Sequence, residues 1–492
     1  MRFILKLFLI VCATLSMIAK AQQPFFRTYG GGYYDAAYSI QETPDSGYIV
    51  AGVTSSYGLE ESDVLIFKTD RNGQQQWMKM YGGSGSDGAK KLMKAPGGNG
   101  FILAGHTNSY GAGQYDFYVV YIDLNGDTLW TKTFGGSDWD MAYDIDTTFD
   151  QNIIVTGETS SFGNGNKDVW VIKIDLNGNM IWSQTIGGVE DDFATRVFQD
   201  RDSNIVVVGE TGSGLSNSKD FYFIKLNAAG DTLFTKIYGT PEEEWFTSGD
   251  LYFDNSNNMS YCIGGNRYVA ANDITIDVLY RLDINGNFLY SVEGSPLFPY
   301  ERLQTIVKNE GSGGKFYAAF TYKDDGLPKY QISFRRTSYG FSSVAHATII
   351  GTSKNEFTYD IIKTFDSSYV IVGMIENFGP GPYACFMVKT DSLGATTNTP
   401  VMAMDEMDEH IIQSVYPNPA REKIYISLPD DLMKKIKSIS FIDASGSEKI
   451  NLSESELISN LSVDILLLNP GCYWIRMITL DRIYTVPIIK VE

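Results

Sequence analysis

One phrase recurs down the chain about every 52 residues, and repetition at that period means stacked copies of a single small unit. A turn, an aromatic strand and a diglycine run from Asp70 through Trp77 to Gly83, from Asp123 through Trp130 to Gly136, and from Asp175 through Trp182 to Gly188. A unit this short cannot bury its own apolar faces, so its copies must pack on one another. Within one copy, four runs rich in β-branched and aromatic residues are separated by Gly/Asn/Asp turns, and none has helical periodicity. Several runs are apolar on both faces, as sheets packed between two other sheets require. Four antiparallel strands per repeat at this length predict the blade of a β-propeller.

The second strand of each copy gives the blade count. Gly52-Val-Thr, Gly105-His-Thr, Gly157-Glu-Thr and Gly209-Glu-Thr are regular; Gly264-Gly-Asn, Ala319-Phe-Thr and Gly373-Met-Ile complete a set of seven. The seventh copy stops after Ala384–Asp391 without its aromatic strand. The chain near its start, Pro24 to Gly31, reads as that missing strand. The expectation is an all-β, seven-bladed propeller in which the N-terminal strand completes the last blade. Such closure pairs edges that would otherwise template aggregation.

The phrase Tyr81-Gly-Gly-Ser followed by Asp87, with Gly100 to Ser109, resembles the repeats of secreted bacterial seven-bladed propellers. The resemblance implies fold and export. That family has no single activity, so it carries over no catalytic residue.

Both ends of the chain read as addresses. Residues 1–21 combine a short basic start, an apolar stretch from Leu7 to Ile18 and the small-x-small site Ala19-Lys-Ala21, as in a secretory signal peptide. No later apolar run is long enough for a membrane span. With 59 acidic and 39 basic residues the formal net charge is −20, and losing Arg2, Lys6 and Lys20 with the signal makes the chain more acidic still. That balance argues against nucleic acid or anionic membranes as partners. Of the four cysteines, Cys12 lies in the signal segment; the remaining Cys262, Cys385 and Cys472 are scattered and odd in number, so no disulfide framework or metal-type spacing is expected.

Propeller residues 22–391 lead into a polar, breaker-rich linker, 392–411, and a small β-sandwich, 412–492. In that tail, Val415-Tyr416-Pro417-Asn418-Pro419, Asp443 to Gly446, Pro470-Gly471-Cys-Tyr473-Trp-Ile-Arg476 and Val486 to Lys490 occur in order. The set is similar to the C-terminal sorting domain of type IX secretion cargo from Bacteroidetes; Pro487 and Cys472 depart from its commonest pattern. The resemblance implies the type IX secretion machinery as a partner, recognition at the outer membrane, and removal of the domain as cargo is released or attached to surface lipopolysaccharide.

Candidate ligand residues come from a repeated acid. Asp35, Asp87, Asp140 and Asp192 each stand four residues after the second glycine of a diglycine; Glu244, Glu301 and Glu356 fill the remaining copies. If first strands line a channel, these form a ring of rim carboxylates able to hold a cation or basic ligand. Alternatively each caps backbone amides, or pairs with a base such as Lys68, Lys173, Lys225, Arg281, Arg335 or Lys389. The Asp-x-Asn-Gly turns lack the glutamate a calcium hand needs and read as hairpins. Tyr57, Tyr110 and Phe162 recur in loops on one face, where they either stack on sugar or pack between blades. No cofactor and no catalytic residue is assigned. The function expected is an exported binding scaffold for a surface protein or glycan. A carbohydrate-active hydrolase or lyase using carboxylates on the propeller face is the alternative.

Overall fold

A computed structural model describes residues 24–57, 61–214, 218–253, 258–271, 273–293, 302–308, 316–322, 330–337, 344–352 and 354–391 of the repeat region. In the tail it describes 414–416, 423–427, 436–443, 448–453, 461–469, 471–479 and 483–490. The signal segment, the linker, Glu301 and Pro417 to Pro419 lie outside the described residues. The chain divides into two compact units, Met1–Asn398 and Thr399–Glu492.

The first unit holds seven four-stranded antiparallel sheets. Their first strands are Asp35–Glu42, Asp87–Lys94, Asp140–Thr147, Asp192–Gln199, Glu244–Phe253, Arg302–Lys308 and Glu356–Lys363. Phe25–Tyr29 pairs antiparallel with the last strand, Tyr383–Thr390, in the register Phe25↔Lys389 to Tyr29↔Cys385, and so supplies the outermost strand of the seventh sheet. The ring closes as the sequence predicts.

The recurring phrase has a packing explanation. Outer strands lay aromatic residues on the glycine turn of the next blade: Trp77 lies on Gly126 and Trp182 on Gly230. Tyr81 Oη donates to Gly126 O at 2.5 Å, and Trp130 Nε1 to Leu176 O at 3.0 Å. The closing strand follows the same rule, with Phe25 against Gly73 and Tyr29 Oη donating to Gly73 O at 2.7 Å. Gly126 has φ +78° and leaves no room for a side chain beneath Trp77, so glycine is demanded twice over. The turn aspartates serve the hairpin: Asp123 Oδ1 accepts the N–H groups of Asn125 and Asp127, each at 2.8 Å.

The core lies between blades. Ile102, Phe117 and Val119 of one sheet meet Ile153, Val155 and Trp170 of the next. Second strands such as Tyr48–Thr54 and Ile205–Thr211 are buried along their whole length. Cys262 and Cys385 are free thiols within this interior. In the second unit, Ser414–Tyr416, Lys423–Ser427 and Leu461–Asp464 form one sheet, and a four-stranded sheet is built around Ile436–Asp443 and Gly471–Thr479. Ile424, Ile439, Phe441, Val463 and Ile475 are buried, giving the small sandwich its own core.

Candidate functional site

The repeated acids open six of the first strands and accept hydrogen bonds from the loops, with Asp87 Oδ1 and Asp192 Oδ1 left without one among the described residues. Asp35, Asp87, Asp140, Asp192, Glu244 and Glu356 are all fully buried. Asp140 Oδ2 accepts Gly136 N–H at 2.8 Å and Ser161 Oγ–H at 2.7 Å, while Thr159 Oγ1 donates to Oδ1. Asp35 repeats this with Gly31 N, Ser56 Oγ and Thr54 Oγ1. Asp87 and Asp192 likewise accept the second glycine's amide and a serine hydroxyl. Glu244 and Glu356 reach Thr240 and Thr352 instead. In the first and third blades the threonine of Gly-x-Thr is thus a partner of the acid. Among the described residues no three His, Cys, Asp or Glu side chains converge as a metal site.

The bases pair elsewhere than with these acids. Lys68, Lys173, Lys225 and Lys389 bind Asp45, Asp150, Asp200 and Asp366 of the first hairpin in their own blades, at 2.5–2.9 Å. Burial opposes ionisation of Asp366, but Lys389 and Thr364 outweigh it and hold the carboxyl at about 2. The loop aromatics also pack internally. Tyr57 and Tyr110 donate to Gly30 O and Gly82 O, each at 2.7 Å, and Phe162 lies against Trp170.

What varies from blade to blade lies further along the first strands. Each carries a β-bulge three residues after its acid; in the first blade Ala37 faces Gly52 and Ser39 faces Ala51, leaving Tyr38 unpaired. The glycine of Gly-x-Thr permits this. A Cβ at Gly52, Gly105 or Gly157 would stand 1.9 Å from a carbonyl oxygen of the bulged strand. The bulge turns one half-buried residue per blade toward the axis: Tyr38, Lys90, Tyr143, Thr195, Thr247, Gln304 and Tyr359. Neighbours in this collar touch, Tyr38 against Tyr359 at 4.8 Å between ring centres and Lys90 over Tyr38 at 4.4 Å.

The next residue of each strand builds a belt: Ser39, Lys91, Asp144, Arg196, Ser248, Thr305 and Asp360. Asp360 Oδ2 accepts from Ser39 Oγ at 3.0 Å, Ile40 N at 3.2 Å and Lys91 Nζ at 2.9 Å. Asp144 accepts Val197 N–H at 2.8 Å and faces Arg196 Nη1 at 3.4 Å. Ser248 Oγ accepts Ile306 N–H at 3.1 Å. These groups staple neighbouring blades along the axis. Attraction from Asp144, Asp250 and Asp360 raises the Arg196 pKa despite burial, so that charge is permanent.

Beside the belt lies a polar cavity of about 640 Å³, lined among others by Gln41, Lys94, Asp146, Asp250, Lys363 and Phe365. Burial, with Asp144 nearby, pushes the Asp146 carboxyl up to about 7 against the Thr147 amide it accepts. None of these axial residues is a candidate on repetition. The signal for them is the opposite one, a polar column that changes in every copy of an otherwise constant strand.

Closed ring, bulged inner strands and asymmetric polar axis together define a seven-bladed β-propeller with a ligand-sized central channel. Residues 414–491 match the secretion system C-terminal sorting domain. The chain is therefore a propeller carrying a type IX secretion sorting domain, which directs export to the cell surface or outside. No curated protein matches it. Similar solved structures include Sqt1 from Chaetomium thermophilum, at 12% identity over 83% of this chain and 96% of that one, TM-score 0.44. The β-propeller domain of the Trilobed protease from Pyrococcus furiosus aligns at 10% identity over 71% and 91%, TM-score 0.39. Polysaccharide lyase Uly1 aligns at 8% identity over 74% and 91%, TM-score 0.44.

Proposed function

We propose that the propeller is an exported binding scaffold that takes a protein or glycan ligand in its central channel. The observation that carries this reading is the loss of repeat symmetry along the axis. Outer-strand and turn positions that pack blade on blade recur; the axial positions lining the cavity differ, including those that also tie blades together, as a site for one asymmetric ligand requires. Glycan and surface-protein binding by the intact protein tests it, repeated with Gln41→Trp, which puts a bulky ring into the cavity wall. Binding should fall at least tenfold in that variant; undiminished binding would contradict a channel site.

One observation favours a second reading, the carbohydrate-active hydrolase or lyase. A carboxyl poised near 7, as at Asp146, suits general acid catalysis. Polysaccharide turnover abolished by Asp146→Asn would support it, and the absence of turnover across a substrate panel would remove it.

In the tail, Tyr416, Gly471, Tyr473, Arg476 and Lys490 fall on paired strands, with Gly471 opposite Lys490 and Tyr473 opposite Ile488. With Pro417, Asn418 and Pro419 they are the residues we assign to recognition by the type IX machinery. Deleting 412–492 should leave the propeller folded but retained inside the cell envelope, and normal export of that chain would refute the assignment.

A further inference from the structure

The collar holds a single basic residue. Lys90 Nζ lies over the Tyr38 ring and makes no hydrogen bond or ion pair with any described residue. Burial lowers its pKa, opposed by the field of Glu158. Glu158, whose field reaches it, and acids of the neighbouring blades are already committed. Glu158 is 2.8 Å from Lys167 Nζ and is hydrogen-bonded to Tyr143. Glu210 lies 3.7 Å from Lys219 and accepts the Phe246 amide. In the belt, Asp144 faces Arg196 and Asp360 holds Lys91.

Two buried neutral atoms in the same region also lack a partner, His106 Nδ1 and Thr195 Oγ1. Burial, and then Lys90, lowers the His106 pKa to about 3, so the imidazole is uncharged and its open nitrogen can serve as donor or acceptor. Gly88 makes room for that ring, since a Cβ there would stand 2.9 Å from His106 Cε1. The collar beside Lys90 is aromatic: Tyr38 meets Tyr359, and next to them Tyr34 meets Tyr383 at 5.4 Å and Tyr330 meets Phe357 at 5.4 Å.

A cation without an ion pair, unpaired neutral polar atoms and a wall of tyrosine faces match the chemistry of an acidic sugar. Its carboxylate would supply the missing ion-pair partner, its hydroxyls the missing hydrogen bonds, and its C–H face an apolar surface for the rings. Each first strand is also the free edge of its sheet, so an acidic peptide is the competing occupant, and a tetraglutamate probe separates the two. We propose that the collar binds a carboxylate-bearing sugar unit of an acidic polysaccharide, with the carboxylate on Lys90 and the ring against Tyr38 and Tyr359. The inference rests on the binding-scaffold reading and names its ligand class.

Titration calorimetry of the full mature chain with tetragalacturonate, maltotetraose and a tetraglutamate peptide tests it. Tetragalacturonate should bind, with maltotetraose and tetraglutamate about tenfold weaker or worse, the size expected for one charge-assisted contact. Lys90→Met should weaken tetragalacturonate about tenfold while Lys90→Arg keeps it within about threefold, so a folding defect at this site is separated from loss of charge. Equal binding of maltotetraose, an unchanged Lys90→Met or a preference for tetraglutamate would overturn the acidic-sugar assignment and leave the scaffold reading standing. Failure of all three probes, alongside a surface partner lost on Gln41→Trp, would likewise overturn the collar inference alone.

Discussion

Lys91 Nζ lies 2.9 Å from Asp360 Oδ2, joining the second blade to the last across the channel, between residues 269 apart in sequence. Asp360 also accepts a hydroxyl and an amide of the first blade, so one carboxylate ties three blades together where the ring closes. Asp360→Ala should cost about 3 kcal/mol in urea unfolding, because it strands a half-buried lysine and a buried amide. Lys91→Met should cost clearly less, since Ser39 and Ile40 still satisfy the acid. Equal losses would mean that the cross-channel pair itself dominates.

The loop-capping acids make a contrasting prediction. Asp140→Ala should destabilise the fold by about 2–4 kcal/mol, because Gly136 N, Ser161 Oγ and Thr159 Oγ1 all lose their acceptor. Ligand affinity, measured below the melting transition, should stay within about twofold of wild type. A selective loss of binding with intact stability would return the rim carboxylates to the site.

Gly157→Ala tests the origin of the collar. Its Cβ would meet Met141 O at 1.9 Å, and backbone cannot yield as a flexible side chain can. A loss of about 2 kcal/mol or more is expected in denaturant unfolding. In the sixth blade Phe320 stands at the equivalent position, opposite Leu303, so that bulge forms without a glycine.

Stability should depend on pH through Asp146. Its folded-state pKa is raised to about 7, so the unfolded chain ionises first as pH climbs. The resulting penalty is absent below about pH 4, grows between about 4 and 7, and is constant above. Asp146→Asn should therefore stabilise the propeller by about 1 kcal/mol or more at pH 8 and leave it unchanged at pH 4, read from melts at both values. An equal effect at both pH values would exclude ionisation as the cause.

The blade architecture was legible because its determinants repeat. Trp77 and Gly126 recur as a packing pair, and the missing strand after Asp391 points to Phe25–Tyr29, which supplies it. The capping acids were visible for the same reason, and repetition favours their structural use. The lysines do not pair with the repeated acids: Lys173 finds Asp150, in the first hairpin of its own blade. The axial residues were hidden because Tyr38, Lys90 and Tyr143 share no chemistry. Their common orientation follows from a bulge that only the opposing glycine betrays. Contacts such as Lys91 with Asp360 depend on ring closure and have no local signature.

The central claim is that the ligand occupies the axis. Photo-crosslinking from a benzophenone side chain placed at Gln41, in the cavity wall, or at Leu129, on an exposed outer strand, tests it on the cell surface. The account predicts a discrete crosslinked product from Gln41 and none from Leu129. A product from Leu129 alone would place recognition on the outer rim and contradict a channel site.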